Sequence, residues 1–376
     1  MDFGLSETQE QLQASAREFL QRECPPAFVR EVMRDAEGFP RAFYAKLVEL
    51  GWTGLIVPEA FGGLGLGLLD CAVLMEESGR AVMPGPFFAS LLATLAIVQA
   101  GSTAQKKLWL PKLTTGEAVG TIAFLEESDR LDAAGITARA KLVRGAYRLS
   151  GTKLFVADAQ VADVLIAAFR TSGRGEDGVT LFLVPRDAPG LSLTPLPIID
   201  QTRRVCEVRF RDVEVPPGAV LGGTGTGWKR LKRILDAAAV LLAADCLGGA
   251  QKALEMAVEY TKVREQFGRP IGSFQALKHM AAEMVSDIEP SRGLVWYAAH
   301  VYDAQPREAS RAAAMAKARL SDVYSRVANR AVQMHGGIGF TWEHDLHLWF
   351  KRAKWNEITF GDATFHRERL AQVARW

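Results

Sequence analysis

Val332-Gln333-Met334-His335-Gly336-Gly337-Ile338-Gly339-Phe340-Thr341-Trp342-Glu343-His344-Asp345 is the stretch on which the reading of this chain turns. Ahead of it, Arg311 to Met334 is rich in Ala and Arg and holds no Gly or Pro, which predicts a long helix. Three glycines, Gly336, Gly337 and Gly339, then stop that helix; they permit positive φ and leave backbone that another molecule can approach. Gln333 adds a donor and an acceptor just before the turn. By itself a Gly-rich C-cap is a structural feature. Two further pieces give it another meaning: Arg264-Glu265-Gln266-Phe267-Gly268 followed by Phe274-Gln275, and a segment of mixed character in the middle of the chain.

Composition sets the frame. A chain of 376 residues is too long for one ordinary core, so two or three domains are expected. Hydrophobic content of 48% beside 23% charged residues is ordinary for a soluble globular protein. A net charge of +2, with no Lys/Arg block interleaved with aromatics, gives no case for nucleic acid. Cys24, Cys71, Cys206 and Cys246 have no paired spacing, so free buried thiols are expected and a disulfide or metal framework is not. The opening Met1-Asp2-Phe3-Gly4-Leu5-Ser6-Glu7 is acidic, unlike a signal peptide, and the longest apolar run, Ala237 to Ala244, is too short for a bilayer. A cytoplasmic protein with no membrane partner is the expectation.

Along the chain, Ser6 with Gln9 makes a capping box for a helix reaching about Glu23, where Cys24-Pro25-Pro26 ends it. Pro40 opens a helix closed by Gly51, and Leu69 to Arg80 and Phe87 to Ala100 are further helices. The turn Pro58-Glu59-Ala60-Phe61-Gly62-Gly63 lacks the Lys-Ser/Thr of a phosphate loop and reads as a joint between helices. From Ala118 the period changes. Val119 to Phe124, Tyr147 to Ser150, Lys153 to Val156, Val164 to Arg170, Thr180 to Val184 and Val205 to Phe210 are short β-branched and aromatic segments, the rhythm of a small antiparallel barrel. Helices then return over Trp228 to Val263, Phe274 to Pro306, Ala309 to Met334 and Asp345 to Trp355, an expected four-helix bundle. The fold class predicted is α+β and multi-domain: a helical domain over residues 1–117, a β-barrel domain over 118–222 and a helical bundle over 223–376.

The order of these domains and the three motifs resemble the acyl-CoA dehydrogenase family of flavoproteins over nearly the whole chain. That resemblance implies FAD, shared across a subunit interface, an acyl-CoA substrate and an electron-transfer acceptor protein. The family's Arg-x-x-Phe-Gly, Phe-Gln and Gln-x-x-Gly-Gly motifs hold the adenine and pyrophosphate end of the flavin. Here they fall on Arg264, Phe267 and Gly268, on Phe274 and Gln275, and on Gln333, Gly336 and Gly337. Guanidinium forks suit phosphate oxygens, and glycine lets backbone N–H groups close on an anion. The family's Thr-Glu-Pro-x-x-Gly-Ser-Asp loop corresponds to Leu125-Glu126-Glu127-Ser128-Asp129-Arg130-Leu131-Asp132, and its Trp-Ile-Thr/Ser near the flavin ring to Phe155-Val156-Ala157, where Ala157 supplies no hydroxyl.

The family's reaction removes an α-proton with a carboxylate while a hydride leaves the β-carbon. Most members take that base from a Tyr-Glu-Gly-Thr turn, whose Glu position is Phe360 here; another branch takes it from the first bundle helix, at Ala238 here. Neither accepts a proton. Glu357 and Asp362 are the candidates for a displaced base. His344 and His347, three apart around Asp345, have a chelating spacing but no third ligand at a recognisable interval, so no metal is expected. The resemblance, closest in Gly361-Asp362-Ala363-Thr364-Phe365-His366-Arg367 to bacterial heteromeric branches acting on steroid-like or bulky acyl-CoA thioesters, implies the subunit lacking the catalytic base, in a homo- or hetero-tetramer. A self-sufficient homotetramer with a displaced base, or a non-enzymatic relative retaining the fold, are the alternatives.

Overall fold

The structure is a computed structural model that describes residues 4–374; Met1, Asp2 and Phe3 of the acidic opening segment lie outside the described residues. Six helices come first: α1 (Glu7–Glu23), α2 (Pro26–Arg34), α3 (Arg41–Glu49), α4 (Leu68–Arg80), α5 (Phe87–Ala100) and α6 (Thr103–Thr114). Ser6 caps α1 as expected, its side chain accepting from the Gln9 N–H while the Gln9 side chain accepts from the Ser6 N–H. Two of the six, α2 and α6, have no counterpart in the sequence reading. Yet α6 carries the same signal as α1, a capping box of Ser102 and Gln105. Pro111 inside α6 masks it.

Eight strands follow: β1 (Gly120–Ala123), β2 (Arg139–Val143), β3 (Ala146–Ala157), β4 (Val164–Arg170), β5 (Val179–Pro185), β6 (Leu191–Leu196), β7 (Val205–Val215) and β8 (Val220–Leu221). They form one sheet ordered β6-β7-β3-β2-β4-β5-β8, with β1 on β4. Its core is set by β4 and β5, buried along nearly their whole length, and by Phe169, which meets Phe182 and Phe210 edge-on at 6.1 and 5.0 Å. Two features correct the expected antiparallel barrel. The sheet is mixed, because β1 runs parallel to β4, to which it returns only after the β2–β3 hairpin. It is also open among the described residues, since its end strands β6 and β8 do not pair. β8 is two residues long, and Pro195 removes a donor from β6, which suits an edge. The expected segments Tyr147–Ser150 and Lys153–Val156 are one strand, β3, bent by two register shifts against β7.

Five helices close the described chain, one more than expected: α7 (Gly227–Val263), α8 (Gln275–Ala304), α9 (Ala309–His335), α10 (Leu346–Ile358) and α11 (Ala363–Ala374). Helix α7 is the one described helix long and apolar enough to cross a membrane, and most of its apolar window is buried inside the protein. Helix α9 packs on α8, α10 and α11. Contacts gather the chain into two compact units. One joins the segments through Glu31, Leu68–Met83 and from Asp236 onward; the other joins Val32–Gly67 with Pro84–Leu235. The first helices are thus divided, α1 and α4 falling in the unit of the C-terminal helices and α3, α5 and α6 in that of the sheet, on which α5 packs through β1 and β4.

In the helical unit, α4 and α7 approach so closely that a Cβ on Gly79 would overlap the Asp245 carbonyl, and one on Gly248 the Glu76 carbonyl. Both obstacles are backbone and cannot rotate away. Gly248→Ala is expected to lower the unfolding free energy by about 2–3 kcal/mol, read by urea denaturation. A variant as stable as its parent would show that the two helices separate at no cost.

Candidate functional site

The residues singled out by sequence fall into three groups. The first surrounds the end of α7. Glu265–Gln266 and Arg269–Pro270 pair as a minimal hairpin, with Phe267 (φ +55°) and Gly268 (φ +76°) at its tip. Positive φ at both central residues is the two-residue turn that matches strand twist. For Phe267 that conformation is costly, and the ring is 90% exposed, edge-on to Phe274 at 6.0 Å. The Arg269 guanidinium lies 4.2 Å over the Phe274 ring, while Arg264 and Gln275 are exposed. The ring is thus held in a strained turn and turned to solvent.

The end of α9 belongs to this group too. His335 closes the helix and Gly336 reverses the chain at φ +65°, its N–H donating to the carbonyls of Val332 and Gln333. A Cβ on Gly336, Gly337 or Gly268 would meet nothing within 4 Å. At Gly337, where φ is not positive, no contact within the chain calls for glycine. Bare backbone with open space above it fits the pyrophosphate of a dinucleotide. Beneath the turn, His335 donates from Nδ1 to the Ala331 carbonyl (2.7 Å) and stacks on Tyr260 at 4.5 Å. Burial holds its pKa below the ordinary imidazole range, so it supports the turn as a neutral ring. The His344–His347 pair is likewise occupied by the fold. His344 Nδ1 accepts from the Leu346 N–H (3.1 Å), and His347 Nε2 accepts from Arg30 (3.2 Å). Burial, then Lys351 and Arg30, push His347 down to about 4.

The second group lies in the sheet unit. The Leu125 carbonyl accepts from the Leu154 N–H (2.9 Å), which brings the Leu125–Asp132 and Phe155–Ala157 segments side by side. Phe155 sits at φ +52° within the register shift of β3, 55% exposed, so the bulge pushes its ring outward. Ala157 is half-buried, and its carbonyl accepts from Thr121 Oγ1 (2.5 Å). The residues of this end fit a flavin ring in part: an aromatic side chain is kept and a side-chain hydroxyl is lost. What sequence reasoning missed is the anchor beneath. Glu126 accepts from Lys153 Nζ (2.6 Å), from the Thr137 N–H (2.9 Å) and hydroxyl, and from the Ala138 N–H (3.1 Å). Lys153 is fully buried over the Phe169 ring. Burial alone would raise the Glu126 pKa, but the Lys153 charge and these hydrogen bonds outweigh it and hold the carboxylate below its ordinary range.

The third group is the end of α10. Phe360 (φ +58°) and Gly361 (φ +96°) make a left-handed turn. Its scaffold is a buried cation that the sequence reading overlooked: Lys317 donates to the carbonyls of Asn356 (2.8 Å), Glu357 (3.1 Å) and Gly361 (2.8 Å) and to Ser321 Oγ (3.1 Å). A lysine flanked by Ala316 and Ala318 in an Ala-rich helix was the signal. The Phe360 carbonyl accepts from His366 Nε2 (3.0 Å). Glu357 accepts from Ser325 Oγ (2.7 Å) and Lys354 Nζ (3.0 Å), and Asp362 is exposed, capping α11 through the Phe365 N–H (2.7 Å). Ala238 is fully buried in α7.

Three family profiles match the chain: the acyl-CoA dehydrogenase N-terminal domain over residues 6–117, the middle domain over 121–213 and the C-terminal domain over 225–374. The chain is 32% identical to the acryloyl-CoA reductase (NADH) of Anaerotignum propionicum, over 99% of this chain and 95% of that protein. It is 33% identical to the acyl-CoA dehydrogenase IpdE2 of Mycolicibacterium smegmatis, over 98% of each. Among solved structures, the ChsE4–ChsE5 complex of Mycobacterium tuberculosis superposes with a TM-score of 0.91 at 28% identity, over 100% of this chain and 99% of that one.

Glu126→Gln leaves the buried Lys153 without its counter-charge, and a loss of about 3–5 kcal/mol is expected in urea unfolding near neutral pH. Replacing Lys153 with Met as well should recover more than half of it. Because the Glu126 pKa is depressed, its stabilisation is full above the ordinary glutamate range and disappears as pH falls through the lowered value. The single variant and its parent should therefore converge in acid.

Proposed function

The chain belongs to the acyl-CoA dehydrogenase family, and we propose that it serves as the subunit without a catalytic base in a heteromeric FAD-dependent dehydrogenase of acyl-CoA thioesters. The observation that carries this reading is the occupation of the turn after α10. Phe360 stands where the family's carboxylate would, Ala238 stands at the alternative position, and the two neighbouring acids are engaged in the fold: Glu357 with Ser325 and Lys354, Asp362 as a helix cap. A general base needs a free carboxylate within hydrogen-bond reach of the proton it removes, in a site dry enough to raise its pKa. An exposed cap and an ion-paired glutamate meet neither condition.

The nucleotide end keeps what the reacting end has lost. In this reading Arg264 grips phosphate, Gln333 with the bare backbone of Gly336 and Gly337 receives the pyrophosphate, and Phe267, Phe274 and Gln275 cover the adenine end. Since the family shares FAD across a subunit interface, these residues would hold the nucleotide tail of a neighbouring subunit's flavin, while Phe155 and the backbone of Ala157 are what this chain offers to the ring end of its own. The flavin, when bound, supplies the acceptor for the β-hydride; this chain positions it and shields it from water, and a partner subunit removes the α-proton. The two-protein composition of the ChsE4–ChsE5 complex, to which the fold is closely similar, supports a heteromer. The similarity to the acyl-CoA dehydrogenase IpdE2 supports an acyl-CoA thioester as substrate. A bulky ring-bearing acyl group, an electron-transfer protein as acceptor, a tetramer and the cytoplasm are the finer parts of the proposal.

The test is expression of the chain alone and with its genomic neighbour. Alone, it is expected to give no dehydrogenation of an acyl-CoA; with its partner it should bind flavin and turn over. Glu357→Gln and Asp362→Asn should change the complex's rate by less than about twofold, since a true general base contributes about 100-fold or more. Loss of turnover in either variant with flavin still bound would overturn the reading in favour of a displaced base. Arg264→Ala should weaken flavin binding about tenfold or more, measured by flavin absorbance after dialysis. Phe360→Glu places a carboxylate on a turn already in the required conformation, and dehydrogenation at least about tenfold above the parent's background is expected.

A further inference from the structure

A cavity lies in the helical unit, apart from the three groups above. It is walled by α1, the start of α2, α4, α7 and α10, with Leu20, Cys24, Met256 and Trp349 forming an apolar floor. The floor is held in place: the Trp349 indole N–H donates to the Arg80 carbonyl (3.1 Å), and Cys24 is buried. The charged groups of the lining are Arg17, Glu77, Arg80 and Lys252. Arg17 makes a fork on Glu77 (3.0 and 2.7 Å), and Arg80 one on Glu255 (3.0 and 2.7 Å). Both guanidiniums are thereby fixed and largely neutralised. Lys252, at the same opening, has no carboxylate within ion-pair distance among the described residues; it acts on Glu255 only at longer range, and Arg80 already holds that acid, so Lys252 is the charge left over.

From this arrangement we propose that the cavity binds a small amphipathic carboxylate, with the chain on Leu20, Met256 and Trp349 and the carboxylate on Lys252. The volume is about 260 Å³, that of about nine liquid waters, which suits an acid of about eight carbons. Apolar walls beside one unpaired cation select an anion with a hydrocarbon body over either an inorganic anion or a neutral alkane. None of Arg264, Gln333, Gly336 or Phe360 lines the cavity, so the site stands whether or not the chain lacks a base.

Sodium octanoate titrated into the full-length protein is the probe, with binding read by calorimetry and the site by the methyl resonance of Met256. Saturation is expected to shift that resonance, and affinity should rise about fourfold per methylene along the series from butyrate to octanoate. Lys252→Gln, a change at the opening that spares the packed helices, should weaken octanoate at least about tenfold, about the value of one charge-assisted contact. Ala81→Phe should fill the cavity and abolish binding, with a melting curve to verify the fold. Octanoate that binds without moving the Met256 signal, that ignores Lys252→Gln, or that is matched by 1-octanol would overturn the proposal, as would an absence of binding up to the solubility limit.

Discussion

Buried charge inside the helical unit decides where α10 ends, and the reading of the site depends on that ending. Asp245 on α7 and Arg352 on α10 are both fully buried, 3.2 Å apart. The other Asp245 oxygen accepts from Asn356 Nδ2 (2.6 Å), and the Arg352 fork reaches the carbonyls of Val82 and Met83 (3.3 Å each) after α4. One turn further on, Lys317 gathers the last carbonyls of α10. A helix C-terminus leaves such carbonyls unpaired and partially negative, so a buried ammonium there answers both the missing donors and the dipole. Desolvating these ions is expensive, and the pairs are not the cheapest way to fill the space. What they specify is position: sliding α10 along α7 and α9 would part Arg352, Asn356 and Lys317 from these partners.

That constraint explains how the turn at Phe360 and Gly361 keeps its shape with no carboxylate on it. The left-handed backbone is imposed from below, by Lys317 on the Gly361 carbonyl and by His366 on the Phe360 carbonyl, and not by the side chain at 360. A base can therefore be replaced without disturbing the scaffold that would have aimed it. The nucleotide end shows the reverse relation. There Gly337 has no contact within the chain that calls for glycine, and Phe267 bears a strained backbone while its ring stays exposed, features that the proposed ligand would account for.

The sequence made legible what is local and periodic: the capping box of α1, the limits of α5, the glycine stops after α3 and α9, and most of the strands. The antiparallel barrel failed because closure is a property of edges. Nothing in six apolar segments reveals that β6 is an edge carrying Pro195 or that β8 is two residues long. Strands β2 and β6 escaped notice because their burial alternates or is weak, and α6 because Pro111 outweighed its own capping box. The buried pairs were the least legible part of the site. Glu126 and Lys153 are 27 residues apart, Asp245 and Arg352 107, and only the fold brings either pair together.

Strain that a chain bears alone becomes a statement about what it binds. Phe267 holds a left-handed conformation that costs about 1–2 kcal/mol for a residue with a side chain, while its ring gains almost no burial in its own unit. Gly337 surrenders backbone entropy at a position where any small side chain would fit. A sequence under no outside constraint would lose both features, since each change would stabilise the isolated chain. Their presence together, on the two segments that share one proposed ligand, ties the stability of the folded form to whatever covers them. Binding restricted to the folded state raises apparent stability with ligand concentration. Under the proposed function, the surfaces that would carry that linkage are the Arg264–Gln275 segment and the Gln333–Gly337 turn.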